Sequence, residues 1–580
     1  MGFKITFANQ KTEIEVEGGT LADACKSAGY PLNLVCGGKG LCGKCAVTVE
    51  REGKPEKVLA CRTVVDRDMT VYLEKSDYDH RGNVLTKSNF EVIKANPSIR
   101  KEYYTKEQLK PEPGGAFLSN VSVPLLRKFA AMNAGADFEG CTFVYFLDEM
   151  IDVQEGDTRN CCYGAAVDIG TTTVAVYLYD LVQNRRIAIK SGLNKQMIHG
   201  ADVIARNVYA QEKEGNLSEL QKLVRDTIND LLREGCDFDR IIIENLYHVV
   251  LCGNSTMQHL LFGMNPAKLG ASPFANITDQ EIFCRGKELG LVCAPEAMVE
   301  FLPLLGGFVG ADTMSVLLTM PEDSRKYLMV DLGTNGEIAA GNYDRFFVAS
   351  TACGPALEGG NIACGMRGTR GAIERISLKG GEMNLKIIGG GNPTGLCGSG
   401  IIDAVAELRN LGMIDETGVL LSSEEYKKKY PDSKLADRLQ DVEPYNRGFY
   451  FVEGEKPVYL CQKDIRQIQL AKSSIYSGCL TVLKEAGMES EEVDCLFLAG
   501  AFGNYIDIDH ALSIGLLPPV PREKIVSVGN GAGDGVQTLL MDQSYREKLK
   551  IISDHCIHVE LANHPLFMEE YIKNMNFDFA

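Results

Sequence analysis

The sequence predicts a multidomain protein that combines α+β and α/β domains. Its 580 residues exceed what a single hydrophobic core usually organises, which favours about three or four domains. A cysteine-rich loop stands among short alternating strands near the start of the chain. One pattern of strand, turn and strand then occurs twice, first at Val167 and again at Val330.

Composition limits the classes of partner. The chain has 78 acidic and 60 basic residues, a net charge of −18, which argues against nucleic acid and acidic membranes but not against a protein with a basic face. The N-terminal stretch "MGFKITFANQKTEIEVE" alternates apolar and polar residues, unlike a signal sequence, and no window has the apolar length of a membrane span. We therefore expect a cytoplasmic protein. Its 19 cysteines then predict reduced thiols and a metal site instead of disulfides.

Residues 1–75 are predicted to form the first domain, with strands at "KITFAN", "TEIEVE", "CAVTVE" and "MTVYLE" and a helix at "TLADACKSAGY". The loop "CGGKGLCGKC" has C-x5-C-x2-C spacing, and a fourth cysteine follows in "LACRT". The candidate ligands are Cys36, Cys42, Cys45 and Cys61. Four thiolates suit structural zinc or a 2Fe-2S cluster. Three ligands in one glycine-rich loop favour the cluster, because zinc sites usually pair two short cysteine knuckles.

This order of strands, helix and cysteine loop resembles the β-grasp fold of 2Fe-2S ferredoxins. The first cysteine interval is one residue longer than in the plant-type C-x4-C-x2-C pattern, and in this it is similar to the vertebrate and bacterial variant. The resemblance implies a 2Fe-2S cluster as the cofactor of this domain.

The repeated pattern joins an apolar strand that ends in Asp to a Gly-Thr turn and a second strand. Its copies are "VDIGTTTVAVYLYD" and "VDLGTNGEIAAGNYD". A single Asp-x-Gly-Thr turn usually closes an ordinary hairpin. Its duplication favours two turns that bind one nucleotide from opposite sides. Turn N–H groups and hydroxyls suit phosphate oxygens, and Asp168 and Asp331 are candidates to hold hydrated Mg²⁺. The candidate phosphate residues are Gly170, Thr171, Thr172, Thr173, Gly333, Thr334 and Asn335.

Two glycine-rich turns further along lead into helices, "GGGNPTGLCGSGIIDAV" from residue 389 and "LAGAFGNYIDIDHAL" from residue 498. Tight glycine turns allow close backbone approach to adenosine and its sugar. Their candidate residues are Gly389, Gly390, Gly398, Ser399, Gly500, Gly503 and Asn504. With the two hairpins they resemble the superfamily of acetate kinase, sugar kinases, Hsp70 and actin, which implies two RNase H-like lobes with ATP in the cleft between them.

Motifs along essentially the whole chain resemble those of the reductive activators of corrinoid-dependent enzymes. They include "NKQMIHGADVIAR", "CGNSTMQHLLFG", "LPLLGGFVGADT", "GPALEGGNIACGMRG" and "DIRQIQLAKSSI". The resemblance implies an ATP-hydrolysing enzyme that returns the Co(II) corrinoid of a partner to Co(I) by single-electron transfer from its 2Fe-2S cluster. The implied partners are a corrinoid protein of a methyltransferase or O-demethylase system and an external low-potential electron donor. Whether the active form is a homodimer stays open.

The rest of the domain organisation follows from composition and from this resemblance. Residues 76–92 are polar and without periodicity, which predicts a linker that lets the first domain move. Residues 93–160 have a helix-then-strand pattern, and the resemblance implies that they are a middle domain. Residues 161–580 are expected to be the two-lobed ATPase domain, with its second lobe from about residue 325 and a solvated, charged insertion near 414–460.

Two other functions stay open at this point. One is a small-molecule kinase of the same superfamily with a regulatory iron–sulfur domain, and the other is an electron carrier whose nucleotide lobes are only a docking scaffold. No G-x-G-x-x-G fingerprint follows a strand, so we expect no NAD(P)H or flavin. Glu337 and Glu358 are candidates to position water, but the sequence assigns no catalytic base. Cys353, Cys364 and Cys397 are expected to pack beside glycine turns.

Overall fold

The computed structural model describes residues 2–28, 30, 32, 45–51, 54–73, 95–109, 121–200, 202–239, 241–271, 274–503 and 505–577. The predicted linker lies outside the described residues, as do Cys36, Cys42 and Asn504. Within the described ranges no helix combines the length and the apolar character needed to cross a membrane.

The first domain is a five-stranded sheet packed against one helix. Its elements are β1 Phe3–Phe7, β2 Thr12–Val16, α1 Leu21–Ser27, β3 Ala46–Arg51, β4 Lys54–Leu59 and β5 Met69–Tyr72. The strand order is β2-β1-β5-β3-β4, with β1 and β5 parallel, as in the predicted β-grasp fold. Helix α1 begins after Thr20 because Asp23 N–H donates to Thr20 Oγ1 (3.2 Å) while Thr20 N–H donates to Asp23 Oδ2 (3.1 Å).

The next unit is a three-stranded antiparallel sheet with one helix. Its elements are β6 Ile99–Thr105, α2 Val123–Asn133, β7 Gly140–Phe146 and β8 Glu149–Glu155, in the order β6-β7-β8. The helix and the strands after it were expected, whereas β6 was not, because "IRKEYYT" lacks a run of apolar residues. Lys101 fastens the unit to the next lobe: its Nζ donates to the Cys161 carbonyl (2.6 Å) and to Asn245 Oδ1 (3.0 Å).

Lobe I contains a six-stranded sheet in the order β11-β10-β9-β12-β14-β13. Its strands are β9 Tyr163–Ile169, β10 Thr173–Asp180, β11 Arg185–Leu193, β12 Leu246–Gly253, β13 Ile282–Arg285 and β14 Met298–Phe301. Its helices are α3 Val203–Glu212, α4 Asn216–Asp239, α5 Ser255–Leu261, α6 Gly286–Leu289 and α7 Ala311–Thr319. The first hairpin, β9 and β10, is antiparallel, and β12 then pairs in parallel with β9.

Lobe II repeats this arrangement in a sheet of order β25-β24-β15-β16-β17-β26. Here β15 and β16 form the antiparallel hairpin, and β24 pairs in parallel with β15. The strands are β15 Tyr327–Leu332, β16 Gly336–Asn342, β17 Arg345–Thr351, β24 Cys495–Ala499, β25 Ile525–Gly529 and β26 Ile557–His558. The matched pairing explains the sequence repeat, because each Asp-x-Gly-Thr turn closes the equivalent hairpin.

Two three-stranded sheets and the remaining helices complete lobe II. The small strands are β18 Ala372–Ser377, β19 Asn384–Ile387, β20 Gly395–Leu396, β21 Leu439–Val442, β22 Asn446–Val452 and β23 Val458–Cys461. The helices are α8 Gly398–Asn410, α9 Ser423–Lys429, α10 Gln462–Glu485, α11 Gly500–Gly503, α12 Ile508–Ser513, α13 Gly531–Met541, α14 Tyr545–His555 and α15 Pro565–Lys573. The predicted insertion is folded more than expected: α9 is mostly exposed, but Phe449 and Phe451 of β22 are buried.

The chain returns to lobe I near its end, which a boundary at residue 325 did not anticipate. Helix α13 packs on α7, with Ser315 Oγ donating to the Ala532 carbonyl (2.5 Å). Gly535 permits this approach, because a Cβ there would lie 1.9 Å from the Ser315 carbonyl oxygen. Residues at the start of α13 therefore reach the hairpin of the opposite lobe.

Candidate functional site

Two of the four candidate cluster ligands lie side by side in the first domain. Cys45 precedes β3 and Cys61 follows β4, and their Sγ atoms are 3.2 Å apart with 2% and 6% of each residue exposed. The backbone sets this pairing, because Ala60 N–H donates to the Cys45 carbonyl (3.0 Å). The separation exceeds the roughly 2.05 Å of a disulfide and suits two thiolates that share one metal. The chemistry and burial of these donors therefore fit the cluster.

A cavity of about 660 Å³ lies between the two lobes. Asp168 and Asp331 line it, each one residue before the end of its strand, β9 and β15. Most of the predicted nucleotide residues line the same cavity, namely Gly170, Thr171, Thr172, Thr173, Gly333, Thr334, Asn335, Gly398, Ser399 and Gly500. The two copies of the sequence repeat thus face one space from opposite sides.

The first turn is held through its carbonyl groups. Asn194 Nδ2 donates to the Gly170 carbonyl (3.0 Å), and Asn194 N–H donates to the Thr172 carbonyl (2.9 Å). The buried guanidinium of Arg206 donates to the Thr171 carbonyl, and burial lowers the pKa of Arg206 to about 9. A Cβ at Gly170 would lie 2.5 Å from the Thr173 carbonyl oxygen, so the turn needs glycine there. These hydrogen bonds fix the backbone conformation of the turn.

The second turn is fixed by different groups. Thr334 Oγ1 donates to Glu358 Oε1 (2.9 Å), and Gly333 N–H donates to the Asn335 carbonyl (3.0 Å). The Cys353 thiol donates to the carbonyls of Gly333 and Thr334, both at 3.4 Å. Burial raises the pKa of Cys353, which keeps it a thiol and suits a supporting role behind the turn.

Four partly buried acids, Asp168, Asp312, Asp331 and Glu337, line the cavity together. Burial raises the pKa of Asp168, and its carboxylate accepts from Asn530 Nδ2 (3.0 Å). Burial and the neighbouring Asp168 raise the pKa of Asp312 to about 7, and burial with both of these neighbours raises that of Asp331 to about 7. Glu337 has a pKa well above its ordinary value, first from burial and then from Asp312 and Asp331. Because these carboxylates repel one another when ionised, a cation bound between them would be stabilised.

No group of three or more His, Cys, Asp or Glu side chains in the described part of the chain is arranged to hold a metal ion by itself. Mg²⁺ usually keeps several waters and takes one or two carboxylates together with substrate phosphates. The acids therefore suit an ion that arrives with the phosphates of a nucleotide.

This cluster sets an expected pH dependence. The pKa values of Asp312 and Asp331 rise from 3.8 to about 7 in the folded chain, so it binds more protons than the unfolded chain between these values. Stability of the nucleotide-free protein should therefore fall as pH rises from 5 to 8, by about 3 °C or more in Tm. Calorimetry at both pH values checks this, and Asp331→Asn should flatten the difference. A pH-independent Tm in the wild-type chain would contradict it.

The glycine-rich turns contribute less uniformly than expected. Gly500 lies against Asp331, where a Cβ at φ +89° would come 2.4 Å from Asp331 Oδ1, so it makes room for the acid as well as lining the cavity. Gly389 and Gly390 form a turn beside β19 and are not among the cavity-lining residues. Gly503 also faces away, because α11 packs on β25 and Gly503 lies against Leu498. Asn504 lies outside the described residues.

The lining residues that were not predicted as site residues include Asn254, Asp312, Arg367 and Asn530. Both asparagines cap helices with one atom and reach the site with another. Asn254 Oδ1 accepts from Met257 N–H (3.0 Å) while its Nδ2 donates to Thr171 Oγ1 (2.9 Å). The available signal was an Asn between a strand and a helix, which is where α/β folds place ligand-binding residues.

Comparisons with known proteins cover the whole chain. Family models match as "2Fe-2S iron-sulfur cluster binding domain" over residues 5–66, "RACo middle region" over 163–323 and "C-terminal domain of RACo the ASKHA domain" over 325–579. The chain is 36% identical over 597 residues to "Corrinoid activation enzyme RamQ" of Eubacterium limosum, covering 99% of each protein. The matched middle region is lobe I, so β6 to β8 lie between the first two matches.

More distant relatives point the same way. The chain is 23% identical over 454 residues, 72% of its length, to "[Co(II) methylated amine-specific corrinoid protein] reductase" of Methanosarcina barkeri, of which 77% is covered. A solved structure, "Reductive activator for corrinoid,iron-sulfur protein", matches with a TM-score of 0.72 and 28% identity. This match covers 99% of the chain and 98% of that structure.

Proposed function

This chain belongs to the RACo family of corrinoid activation enzymes, and we propose that it reductively activates a corrinoid protein in an ATP-dependent reaction that returns Co(II) to Co(I). One observation carries the proposal: a buried thiol pair fit for a 2Fe-2S cluster and a two-lobed, acid-lined cavity fit for Mg-ATP occur in a single chain. A kinase of the same superfamily has no use for the first of these sites.

Each site has a separate task in this proposal. The cluster, when bound by Cys36, Cys42, Cys45 and Cys61, supplies a one-electron donor. The turns around Thr171 and Thr334 bind phosphates, while Asp168 and Asp331 hold the hydrated Mg²⁺. Reduction of Co(II) to Co(I) is uphill, and each ~59 mV of adverse potential costs tenfold in a one-electron equilibrium. ATP offsets this cost by changing which state of the corrinoid protein the chain binds. Closure of the two lobes can do this only if the open and closed forms differ in their affinity for that partner.

A contact between the first domain and lobe I gives nucleotide binding a route to the electron-donating domain. Lys26 Nζ of α1 lies 3.7 Å from Glu219 Oε1 of α4, and Glu219 also bonds to His199 Nε2 (2.9 Å). His199 ends the segment that starts at Asn194, the residue that holds the first phosphate turn. Lys26 and Glu219 are 42% and 41% exposed, so their ion pair is weak and easily exchanged for a partner contact.

The partner in this proposal is a corrinoid protein of a methyltransferase or O-demethylase system, and a low-potential protein or reagent reloads the cluster. The net charge of −18 favours a partner with a basic docking face, and it predicts association that weakens with salt. A homodimer is compatible with these roles.

The proposal is tested by mixing the anaerobic protein with a Co(II) corrinoid protein, a low-potential reductant and Mg-ATP while following the visible spectrum. We expect a Co(I) band that depends on ATP and on the protein. A band of equal strength without ATP, or no band, would contradict the proposal. ATPase activity on a small acid or sugar with the iron removed would instead support a kinase, and zinc in the purified protein would exclude electron transfer.

A further inference from the structure

Arg367 is the one Lys or Arg among the described residues that line the cavity between the lobes. Six acids line the same space: Asp168, Asp312, Asp331, Glu337, Glu358 and Glu374. A nucleoside triphosphate adds several further negative charges, so its binding needs cations at the phosphates. Mg²⁺ supplies one source of positive charge, and Arg367 is the source that the chain itself supplies.

The side chain of Arg367 lies between the two phosphate turns. Its NH2 donates to Met197 Sδ of lobe I (3.5 Å), and Met197 belongs to the segment that begins with Asn194, which holds the first turn. On the lobe II side, burial lowers the pKa of Arg367 while the nearby Glu358 carboxylate opposes this shift. Glu358 accepts from Thr334 Oγ1 of the second turn (2.9 Å). These contacts place the guanidinium between the two turns that are predicted to bind phosphate.

The guanidinium also has unused hydrogen-bonding capacity. Its NH1 is buried and has no hydrogen-bond partner among the described residues, and its NH2 has only a weak thioether acceptor. An unsatisfied buried donor is costly, and a charged one more so. A phosphate offers the oxygen pair that a guanidinium fork matches.

The backbone that carries Arg367 is closely packed. A Cβ at Gly359, where φ is +80°, would lie 2.6 Å from the Met366 carbonyl oxygen, so the chain passes very close there. Met366 N–H donates to the Leu396 carbonyl (2.8 Å), which ties the segment to the strand before α8. These backbone contacts hold the Arg367 side chain in position at the cavity.

We propose that Arg367 binds the terminal phosphate of the nucleoside triphosphate and so distinguishes ATP from ADP. The proposal rests on the function proposed above, because it assigns a role within that nucleotide site. It also explains the contact with Met197, because the phosphate and the Met197 thioether compete for the same guanidinium, which lies between the two lobes. Loss of the phosphate on hydrolysis returns the guanidinium to Met197.

The test is calorimetric titration of the full-length protein with Mg-ADP and with a non-hydrolysable Mg-ATP analogue. Arg367→Ala should weaken analogue binding by about 10–100-fold and ADP binding by less than about threefold. Arg367→Lys should recover part of the loss, because it keeps the charge but not the fork. The matched control is Arg370→Ala, which removes an exposed arginine three positions away that does not line the cavity.

Equal losses for both nucleotides, or no loss for either, would overturn the assignment and leave Arg367 as a structural tie between the lobes. A wild-type protein that binds neither nucleotide would overturn the proposed function itself. The wild-type titration is therefore done before any variant is made. If Arg367→Ala does not fold, Arg367→Lys and Arg367→Gln carry the same comparison between the two nucleotides.

Discussion

Replacing Asp331 by Asn is expected to lower ATP-dependent formation of Co(I) by about a hundredfold or more. Asp331 is partly buried near the end of β15 and interacts with Asp312 and Asp168, and Gly500 leaves it the space that a Cβ would take. An amide has the same shape but lacks the charge that holds the hydrated Mg²⁺. The measurement is the initial rate of Co(I) formation with saturating Mg-ATP, reductant and corrinoid protein.

The same change should not harm folding, which separates a lost function from a lost structure. Because the pKa of Asp331 is raised to about 7, the carboxyl is largely ionised at pH 8 and repels its neighbours. The nucleotide-free Asp331→Asn protein should therefore be at least as stable as the wild type at pH 8. The 2Fe-2S spectrum should be unchanged, since the first domain has its own core.

The control variant is Asp344→Asn. Asp344 is an exposed acid in the turn between β16 and β17, so it belongs to the same sheet but not to the cavity. This variant should keep the wild-type rate. Full activity in Asp331→Asn would refute the role assigned to the acid, and an equal loss in Asp344→Asn would show that the effect is not specific to the cavity.

The parts of the site that the sequence revealed are those that a local pattern encodes. Each hairpin is continuous in the chain, so its pattern of strand, turn and strand was enough to predict that Asp168 and Asp331 lie beside a turn. Their duplication predicted that two such turns share one ligand. The prediction of cluster ligands rests on a local pattern in the same way, since three of the four candidate cysteines lie within the ten residues of "CGGKGLCGKC".

The parts that the sequence did not reveal depend on contacts between distant segments. Asn530 reaches Asp168 because α13 crosses from lobe II onto α7, and the glycine that allows this contact, Gly535, carries no local signal. Asp312 enters the cavity as the second residue of α7, which no spacing rule connects to either hairpin. Gly389 does not line the cavity, for the converse reason: a glycine-rich turn indicates that the backbone bends but not which part of the molecule it faces.

The second large effect is expected at Cys61. Replacing Cys61 by Ala should abolish both the visible 2Fe-2S spectrum and Co(I) formation, because the cluster would lack one of four thiolate ligands. Cys61 is 6% exposed and its Sγ lies 3.2 Å from that of Cys45, so water has little access to take the vacant position. The measurements are the absorption spectrum, iron content and Co(I) yield of the anaerobically purified protein.

Nucleotide binding should survive this change. The core of the first domain, which includes Val47, Val49 and Val71, is separate from the cores of the two lobes. Loss of a cluster removes folding free energy from the domain that binds it, and separate cores confine that loss. Mg-ADP affinity should therefore stay within about twofold of the wild-type value.

Cys25→Ala is the matched control, because Cys25 is a buried thiol of α1 in the same core and is not a predicted ligand. It should keep the spectrum and the activity. A Cys61→Ala protein that retains its spectrum would show that the fourth ligand is another residue. If nucleotide affinity fell together with the spectrum, the two sites would be coupled through folding, which would contradict the independence that the separate cores predict.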